Sequence, residues 1–225
     1  MDTPAVRAWN GFAGKVTPRR AVNAAGAHTW LNWTQYPDHG PDEAALGPVT
    51  GKQVVELGSG AGANLAHLAT LGAHCVGVDI APARTVVATK TWGHLPNLEF
   101  VTADAGSHLA ANPGRYDIAY SIFGAVWFTD PEVLLPLIHQ ALTPGGVLAF
   151  SQPPARDRPT TPHHKITQYH LPVDRWEAML SAVGFDRIYS RLIPAPSPGE
   201  PGTQLFRAIA APHSDVPPAG CAGPV

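Results

Sequence analysis

The sequence predicts an α/β fold built around a mostly parallel sheet of seven strands. From residue 52 onward, apolar runs of strand length alternate with segments of helix length, which is the pattern of repeated βα units. The first apolar run ends in a glycine-rich turn, and a helix opens behind that turn. Two more strand-like runs follow the last helix, and the proline-rich turn at residues 194–199 that joins them favours an antiparallel hairpin.

Residues 1–50 precede the sheet and are interpreted as a helical N-terminal cap or lid. Short helices are predicted near residues 5–12 and 21–32. A loop rich in proline and glycine then leads to the first strand.

The alternating region, residues 51–211, is interpreted as one domain. Its first helix has leucines and alanine at helical spacing and ends at Gly72, and its second begins with Pro82, where the missing N–H costs nothing. The predicted strands cover residues 53–57, 74–79, 98–102, 117–122 and 146–151, and the predicted helices between them cover residues 63–71, 82–92 and 131–142.

The C-terminal part continues with a polar loop at residues 152–161 and a helix at residues 173–183. Strands at residues 185–192 and 204–210 form the predicted hairpin. Residues 212–225 have no apolar period and are rich in proline, glycine and alanine, so a flexible tail is expected there.

The charge pattern disfavours a nucleic-acid substrate. The formal net charge of the 225 residues is -2, and no dense stripe of lysine and arginine occurs. Neutralising a phosphate backbone requires clustered positive charge. Arg19 and Arg20 form the only adjacent basic pair, which we interpret as a solvated helix end.

The composition favours a cytoplasmic protein. Cys75 falls in a predicted buried strand and Cys221 in the tail, so no disulfide is expected and a reducing compartment fits. No apolar run approaches the roughly 20 residues that span a bilayer. Residues 1–15 lack the apolar core of a secretion signal.

The glycine-rich turn is the most informative motif. Gly58, Gly60 and Gly62 alternate with small residues directly after a strand that contains Glu56. Glycines there permit a sharp turn and a close approach of a ligand to the main chain. The next two strands along the chain also end in acids, Asp79 and Asp104.

In order and spacing, these elements resemble the class I S-adenosylmethionine-dependent methyltransferases. The resemblance also includes the strand-four segment at residues 116–121 and the Pro-Gly-Gly turn into strand five, and it covers residues 50–211. It implies a doubly wound sheet whose last strand is antiparallel, with helices on both faces.

The resemblance also implies the roles of residues near S-adenosylmethionine. Asp79 would accept from both ribose hydroxyls, which suits a carboxylate. Asp104 and the Ala105 N–H would bind the adenine, Ile80 would pack on its face, and Glu56 would orient the turn and the ligand's ammonium group. The implied cofactor-binding set is Glu56, Gly58, Ser59, Gly60, Gly62, Asp79, Ile80, Asp104, Ala105 and Ser121.

Simpler interpretations stay open for the two aspartates. Asp79 precedes the helix at Pro82 and Asp104 precedes a short helical segment, so both are candidate helix caps. The glycine turn also comes close to the dinucleotide fingerprint, which makes an NAD(P)-dependent oxidoreductase the alternative enzyme class. No Tyr-x-x-x-Lys pair suited to hydride chemistry occurs.

The acceptor pocket is expected outside the core of the fold, and aromatic residues are its candidates. Trp30, Trp33 and Tyr36 precede the sheet, whereas Phe123, Trp127 and Phe128 follow strand four. They would wall a flat ring and attract a nearby cation. The alternative is that they pin the N-terminal segment, and Trp9 is assigned to that purpose.

Histidines supply the candidate general base. His163 and His164, followed by His170, lie after strand five, and histidine accepts a proton near neutral pH. His28 and His39 in the N-terminal cap are further candidates. A metal site is not predicted, because adjacent histidines point in different directions and no third ligand follows.

The sequence therefore predicts methyl transfer from S-adenosylmethionine to nitrogen or oxygen of a small aromatic or heterocyclic metabolite, with carbon open as the acceptor atom. S-adenosylhomocysteine would be the product, and secondary metabolism the setting. No membrane or nucleic-acid partner is expected, and the oligomeric state stays open. A module that binds the cofactor without turnover is the alternative from a different class.

Overall fold

A computed structural model describes residues 3–13, 19–155 and 166–212 of the chain. Within that part, the helices alternate with the strands from residue 53 onward, as the sequence predicts. The helices are α1 (Pro4–Ala13), α2 (Ala63–Thr70), α3 (Pro82–Trp92), α4 (Ala105–Ala110), α5 (Ala125–Phe128), α6 (Pro131–Ala141) and α7 (Val173–Val183), with a 3-10 turn at Glu43–Leu46. The strands are β1 (Gln53–Leu57), β2 (His74–Asp79), β3 (Leu98–Thr102), β4 (Tyr116–Ile122), β5 (Leu142–Gln152), β6 (Phe185–Ile193) and β7 (Thr203–Ala210).

The described strands form one seven-stranded sheet in the order β3-β2-β1-β4-β5-β7-β6. Strands β1 to β5 pair in parallel, and β7 lies antiparallel between β5 and β6. The predicted α/β class, the mostly parallel sheet and the antiparallel last strand are confirmed. The strand order reverses direction at β1 and β4, where ligands bind in folds of this kind.

Two hydrophobic clusters cover the two faces of the sheet. One joins Leu135, Leu148 and Trp176 under α6 and α7, and the other joins Trp33, Leu65 and Tyr120 under α2 and the N-terminal segment. Strand residues in the middle of the sheet are buried on both faces, which explains their continuous apolar runs.

The predicted helix at residues 21–32 is wrong, because this stretch is irregular. The Asn23 side chain accepts hydrogen bonds from the N–H groups of Ala25 and Ala27, and Gly26 has a φ of 80°. A local side-chain bond of this kind offers the backbone a turn in place of a helix.

Two smaller differences concern element lengths. Strand β5 begins at Leu142, earlier than the predicted residue 146, and a register shift opposite Tyr116 and Ile118 accommodates Pro144 and Gly145. Helix α5 has four residues, which is too short for a periodic signal. Of the expected tail, residues 213–225 lie outside the described part of the chain.

None of the helices that the structure describes combines the length and the apolar character needed to cross a membrane. Cys75 is a buried free thiol.

Candidate active site

A cavity of about 730 Å³ lies along the carboxyl ends of β1, β2 and β4 and beside α4. The turns that follow these strands meet at this edge, because parallel strands end on the same side of a sheet. The predicted cofactor-binding residues that line it are Glu56, Gly58, Ser59, Gly60, Asp79, Ile80, Asp104 and Ala105.

The glycine-rich turn is held tightly between β2 and α5. The N–H groups of Gly58 and Ser59 both donate to the Val78 carbonyl, at 2.8 and 3.0 Å. Gly58 has a φ of 83°, and a Cβ there would lie 2.7 Å from the Ala125 nitrogen. Gly62 has a φ of 76°, and a Cβ there would lie 2.3 Å from the Phe100 ring. Glycine is therefore required at both positions.

Asp79 is fixed by backbone donors on both of its oxygens. Oδ2 accepts from the Gly60 N–H and Oδ1 from the Ala81 N–H, each at 2.8 Å. Burial raises the pKa of Asp79, and the two N–H groups and Arg84 oppose that rise. The carboxylate thereby joins the glycine-rich turn to the start of α3, and the side chain also lines the cavity.

Asp104 is a helix cap. Its Oδ1 accepts from the Ser107 N–H at 2.9 Å and from the Ser107 hydroxyl at 3.2 Å, which secures the first turn of α4. Asp104 and the buried Ala105 also line the cavity, so capping leaves both beside the space that a ligand would occupy.

Glu56 is a buried carboxyl group on the cavity wall. Glu56 is 2% exposed, and its Oε2 has no hydrogen-bond partner among the described residues. Burial raises the pKa of Glu56 to about 8, against the opposing influence of Tyr120, Arg19 and Asn64. An unpartnered buried carboxyl oxygen is costly unless a ligand satisfies it.

Arg19 joins the N-terminal segment to the site. Its guanidinium donates to the Trp30 carbonyl at 2.8 Å and to Asn64 Oδ1 at 2.7 Å, and it lies 4.8 Å from the centre of the Trp30 ring. Arg19 is exposed, as the interpretation of a solvated residue expects, but it lies in an irregular stretch and not at a helix end, and its bonds tie it to α2. Arg20 pairs with Asp38.

Helix α1 crosses the cavity. Ala5 and Trp9 line it, and the Trp9 ring meets the Phe128 ring edge-on at 4.6 Å. The Asn10 side chain accepts from the Ala83 N–H at 3.3 Å, in the first turn of α3. Trp9 therefore lines the cavity, and its contact with Phe128 also holds the N-terminal segment on the domain.

The structure separates the predicted acceptor aromatics. Phe123 lines the cavity, whereas Trp33 is fully buried and donates its ring N–H to the Asp42 carbonyl. Trp30 is covered by Arg19, and the Tyr36 hydroxyl donates to the Pro201 carbonyl. These three residues lie in the irregular segment before β1, and none of them lines this cavity.

Trp127 and Ser121 lie behind the cavity wall. The Trp127 ring packs on Phe128 at 4.6 Å and on His170 at 5.4 Å. The Ser121 hydroxyl donates to the Leu57 carbonyl at 2.8 Å and accepts from the Val126 N–H at 3.3 Å. Neither lines the cavity: Ser121 bonds β1 and α5, and Trp127 packs on the lining residue Phe128.

His163 and His164 lie outside the described residues. The residues that follow them, Ile166, Thr167 and Tyr169, line the cavity. Among the described residues, no group of three histidine, cysteine or acidic side chains is placed to hold a metal ion.

Sequence reasoning missed Arg84, Asn64 and Tyr169, which all line the cavity. Arg84 and Asn64 carried a usable signal, because each falls in the first turn of a helix that follows a strand at the binding edge. Tyr169 carried none, since it reaches the site from an irregular segment.

Comparison with known proteins gives one family. Residues 33–199 match the family described as "Methyltransferase domain". The trans-aconitate 2-methyltransferase of Paracidovorax citrulli is 37% identical over 110 residues, which are 48% of this chain and 41% of that protein. The chain therefore matches less than half the length of this curated relative.

Solved structures share the fold. A phosphoethanolamine N-methyltransferase of Haemonchus contortus, in complex with S-adenosylhomocysteine, superposes with a TM-score of 0.64 at 16% identity, over 75% of this chain and 51% of that one. The 1,6-didemethyltoxoflavin N1-methyltransferase of Burkholderia thailandensis, also with S-adenosylhomocysteine, gives 0.60 at 22% identity, over 76% of this chain and 80% of that one.

Proposed function

This chain belongs to the methyltransferase-domain family, and we propose that it transfers a methyl group from S-adenosylmethionine to a small organic acceptor. One observation carries the proposal: the cavity edge presents Asp79, held by two backbone N–H groups, together with the open oxygen of Glu56. Two carboxyl groups on the wall of one cavity suit a ligand that has a diol and an ammonium group.

The described residues fit each part of that ligand. Asp79 would accept from the ribose hydroxyls, and Glu56 would accept from the ammonium group. Ile80 would pack on the adenine, while Asp104 and the Ala105 N–H would bind its edge. All five line the same cavity.

When bound, S-adenosylmethionine supplies a methyl group on a sulfonium centre with a good leaving group. The chain's own task is to hold the acceptor in line and to exclude water, and positioning is the largest contribution to reactions of this kind. Trp9 and Phe128 close one side of the cavity in a mutual edge-on contact. Phe123 and Tyr169 add further aromatic surface to the lining.

We propose a flat aromatic or heterocyclic acceptor that is methylated on nitrogen or oxygen, with carbon as the further option. Aromatic walls of this kind favour ring stacking and attract a cation. His163 or His164 would remove a proton where the acceptor carries one at neutral pH. Both histidines precede Ile166 and Thr167, which line the cavity.

Trans-aconitate is the second candidate acceptor, because the relative that methylates it is 37% identical over 110 residues. Its carboxylates require several basic partners. Arg84 is the basic side chain among the described lining residues, and Arg156 and Arg158 lie outside the described part of the chain.

Calorimetric titration with S-adenosylhomocysteine tests the proposal, with NADH and NADPH as controls. Saturable micromolar binding of the adenosyl ligand alone is expected. Asp79→Asn should weaken that binding more than tenfold, since a charge-assisted contact contributes about 1.5–3 kcal/mol. Asp186→Asn, at an exposed position on β6, is the matched control and should bind normally.

Binding of the nicotinamide ligands, with no binding of the adenosyl ligand, would favour the oxidoreductase over the methyltransferase.

Where the adenosyl ligand binds, a second experiment identifies the acceptor. The protein is incubated with S-adenosylmethionine and a panel of phenols, heterocyclic amines and trans-aconitate, and release of S-adenosylhomocysteine is measured. Binding without turnover across the panel would favour the regulatory module.

A further inference from the structure

We propose that Glu56 carries a proton in the ligand-free protein and releases it when an adenosyl ligand with an amino-acid end binds. The inference rests on the proposed function and adds to it a coupling between ligand binding and one ionisation. It starts from the position of Glu56, which is 2% exposed yet lines the cavity and has an oxygen without a hydrogen-bond partner among the described residues.

The groups around Glu56 leave its charge poorly compensated. Arg19 is the cation that acts on it, but the guanidinium already donates to the Trp30 carbonyl and to Asn64 Oδ1. From β4, the Tyr120 hydroxyl offers a hydrogen bond that opposes the rise in the pKa of Glu56, and burial raises the pKa of that phenol well above its usual range. Tyr120 therefore stays neutral and offers a dipole rather than a charge.

The groups on β2 do not stabilise a second negative charge. Asp79 lies on the same cavity wall, and its charge disfavours ionisation of Glu56. Cys75 is a buried thiol whose pKa is raised to about 12 by burial and by Glu56, so it too stays neutral. Burial is the main reason that the pKa of Glu56 is raised to about 8.

Binding changes this balance because the ligand brings a cation. The ammonium group keeps its protons and donates an N–H to the Glu56 carboxylate, while the carboxyl O–H bond breaks and its proton passes to the buffer. A positive charge beside a buried carboxyl favours the ionised form. Affinity should then rise with pH by up to about tenfold per unit below about pH 8, and should level off above it.

A ligand without the amino-acid end distinguishes proton release at Glu56 from proton release at Asp79. 5′-Methylthioadenosine has the same adenine and ribose as S-adenosylhomocysteine but no ammonium group. Any proton exchanged at Asp79 on ribose binding is common to both ligands. The difference in proton release between the two therefore reports on the ammonium site.

Calorimetry in phosphate, HEPES and Tris measures that release, because the observed heat depends on the ionisation enthalpy of the buffer. At about pH 7 we expect S-adenosylhomocysteine to release about one proton more than 5′-methylthioadenosine does. Equal release by the two ligands would overturn the inference while leaving the proposed function intact. Absence of binding by both would instead count against the proposed function.

Glu56→Gln assigns the proton to this residue. The variant should bind S-adenosylhomocysteine more weakly and with the same proton release as 5′-methylthioadenosine. Glu200→Gln, on the exposed turn before β7, is the matched control and should keep the wild-type difference. A Glu56→Gln protein that still shows the extra proton would refute the assignment. The comparison of two ligands on the wild-type protein decides the coupling even where the variant folds poorly.

Discussion

Replacing Glu56 by glutamine should stabilise the ligand-free protein at alkaline pH. The pKa of Glu56 is raised from 4.5 to about 8 in the folded chain, so the folded state holds a proton that the unfolded state has lost between these values. Stability of the wild type must therefore fall as pH rises through this window. Glutamine resembles the protonated acid in shape and does not ionise, so it escapes this loss.

The magnitude follows from the size of the shift. One unit is equivalent to about 1.4 kcal/mol, so the wild type should lose roughly 4 kcal/mol relative to the variant between about pH 5 and about pH 9. For a chain of this size, that difference amounts to a shift of about 10 °C in melting temperature. The two proteins should melt at similar temperatures near pH 5.

Thermal unfolding followed by circular dichroism across this pH range supplies the test, with no ligand present. Other ionisable groups act equally in both proteins and cancel in the comparison. Glu200→Gln should give a curve parallel to that of the wild type. Parallel curves for Glu56→Gln and the wild type would mean that Glu56 ionises normally in the folded chain, and the reasoning from its burial would fail.

Three further changes test the parts of the site. Gly62→Ala should lower the free energy of unfolding by more than about 2 kcal/mol, measured by urea denaturation, because its Cβ would meet the Phe100 ring at a φ of 76°. Ser121→Ala should cost about 1–3 kcal/mol in the same assay, since the Leu57 carbonyl loses its buried donor. Trp9→Ala should raise KM for the acceptor several-fold and leave the affinity for S-adenosylhomocysteine within about twofold, measured by turnover and calorimetry.

Each of these predictions has either a matched control variant or an outcome that would contradict it. Gly11→Ala, where a Cβ meets no atom within 4 Å, should leave stability unchanged or raised. Ser190→Ala should cost less than Ser121→Ala, because the Ser190 hydroxyl donates to the partly buried Glu177 side chain in the middle of α7 and not to a buried backbone carbonyl. If Trp9→Ala weakens S-adenosylhomocysteine as much as it weakens the acceptor, α1 serves the cofactor instead.

The sheet could be predicted because its signals are local and repeated. Each βα unit has a strand-length apolar run, a turn and an amphipathic helix, and these features recur five times before the hairpin. The N-terminal segment offered no such repetition. Between residues 21 and 32, its path is set by side-chain bonds such as those of Asn23, and by the long-range bond from Arg19 to Asn64. Composition alone indicates a helix there.

The sequence places the residues proposed for the cofactor at the cavity more readily than those proposed for the acceptor. Asp79 and Asp104 follow strands directly, so their place in the sequence determines their place at the sheet edge. The positions of the aromatic residues proposed for the acceptor depend on how the N-terminal segment packs on the sheet. Trp33, expected at the acceptor pocket, is buried in the core, whereas Trp9, expected only to fix the segment, lines the cavity. The tryptophan near the sheet fills the core, whereas the one on the distant helix reaches the cavity. Both are aromatic residues before the first strand, and no periodic pattern distinguishes them.

The two carboxyl groups on the cavity wall differ in their hydrogen bonding, and this difference suits them to the different roles proposed for them. Both Asp79 oxygens accept backbone N–H groups, so its position is set before any ligand arrives. Glu56 keeps a buried oxygen that no described residue bonds, which costs stability in the absence of a ligand. A rigid acceptor suits a neutral diol, whose binding does not change the local charge. A buried, protonated carboxyl group with an unbonded oxygen suits a cationic ligand, because the positive charge stabilises the ionised form that burial disfavours. The unbonded oxygen of Glu56 therefore destabilises the ligand-free protein at the position where the ammonium group of a ligand would bond to it.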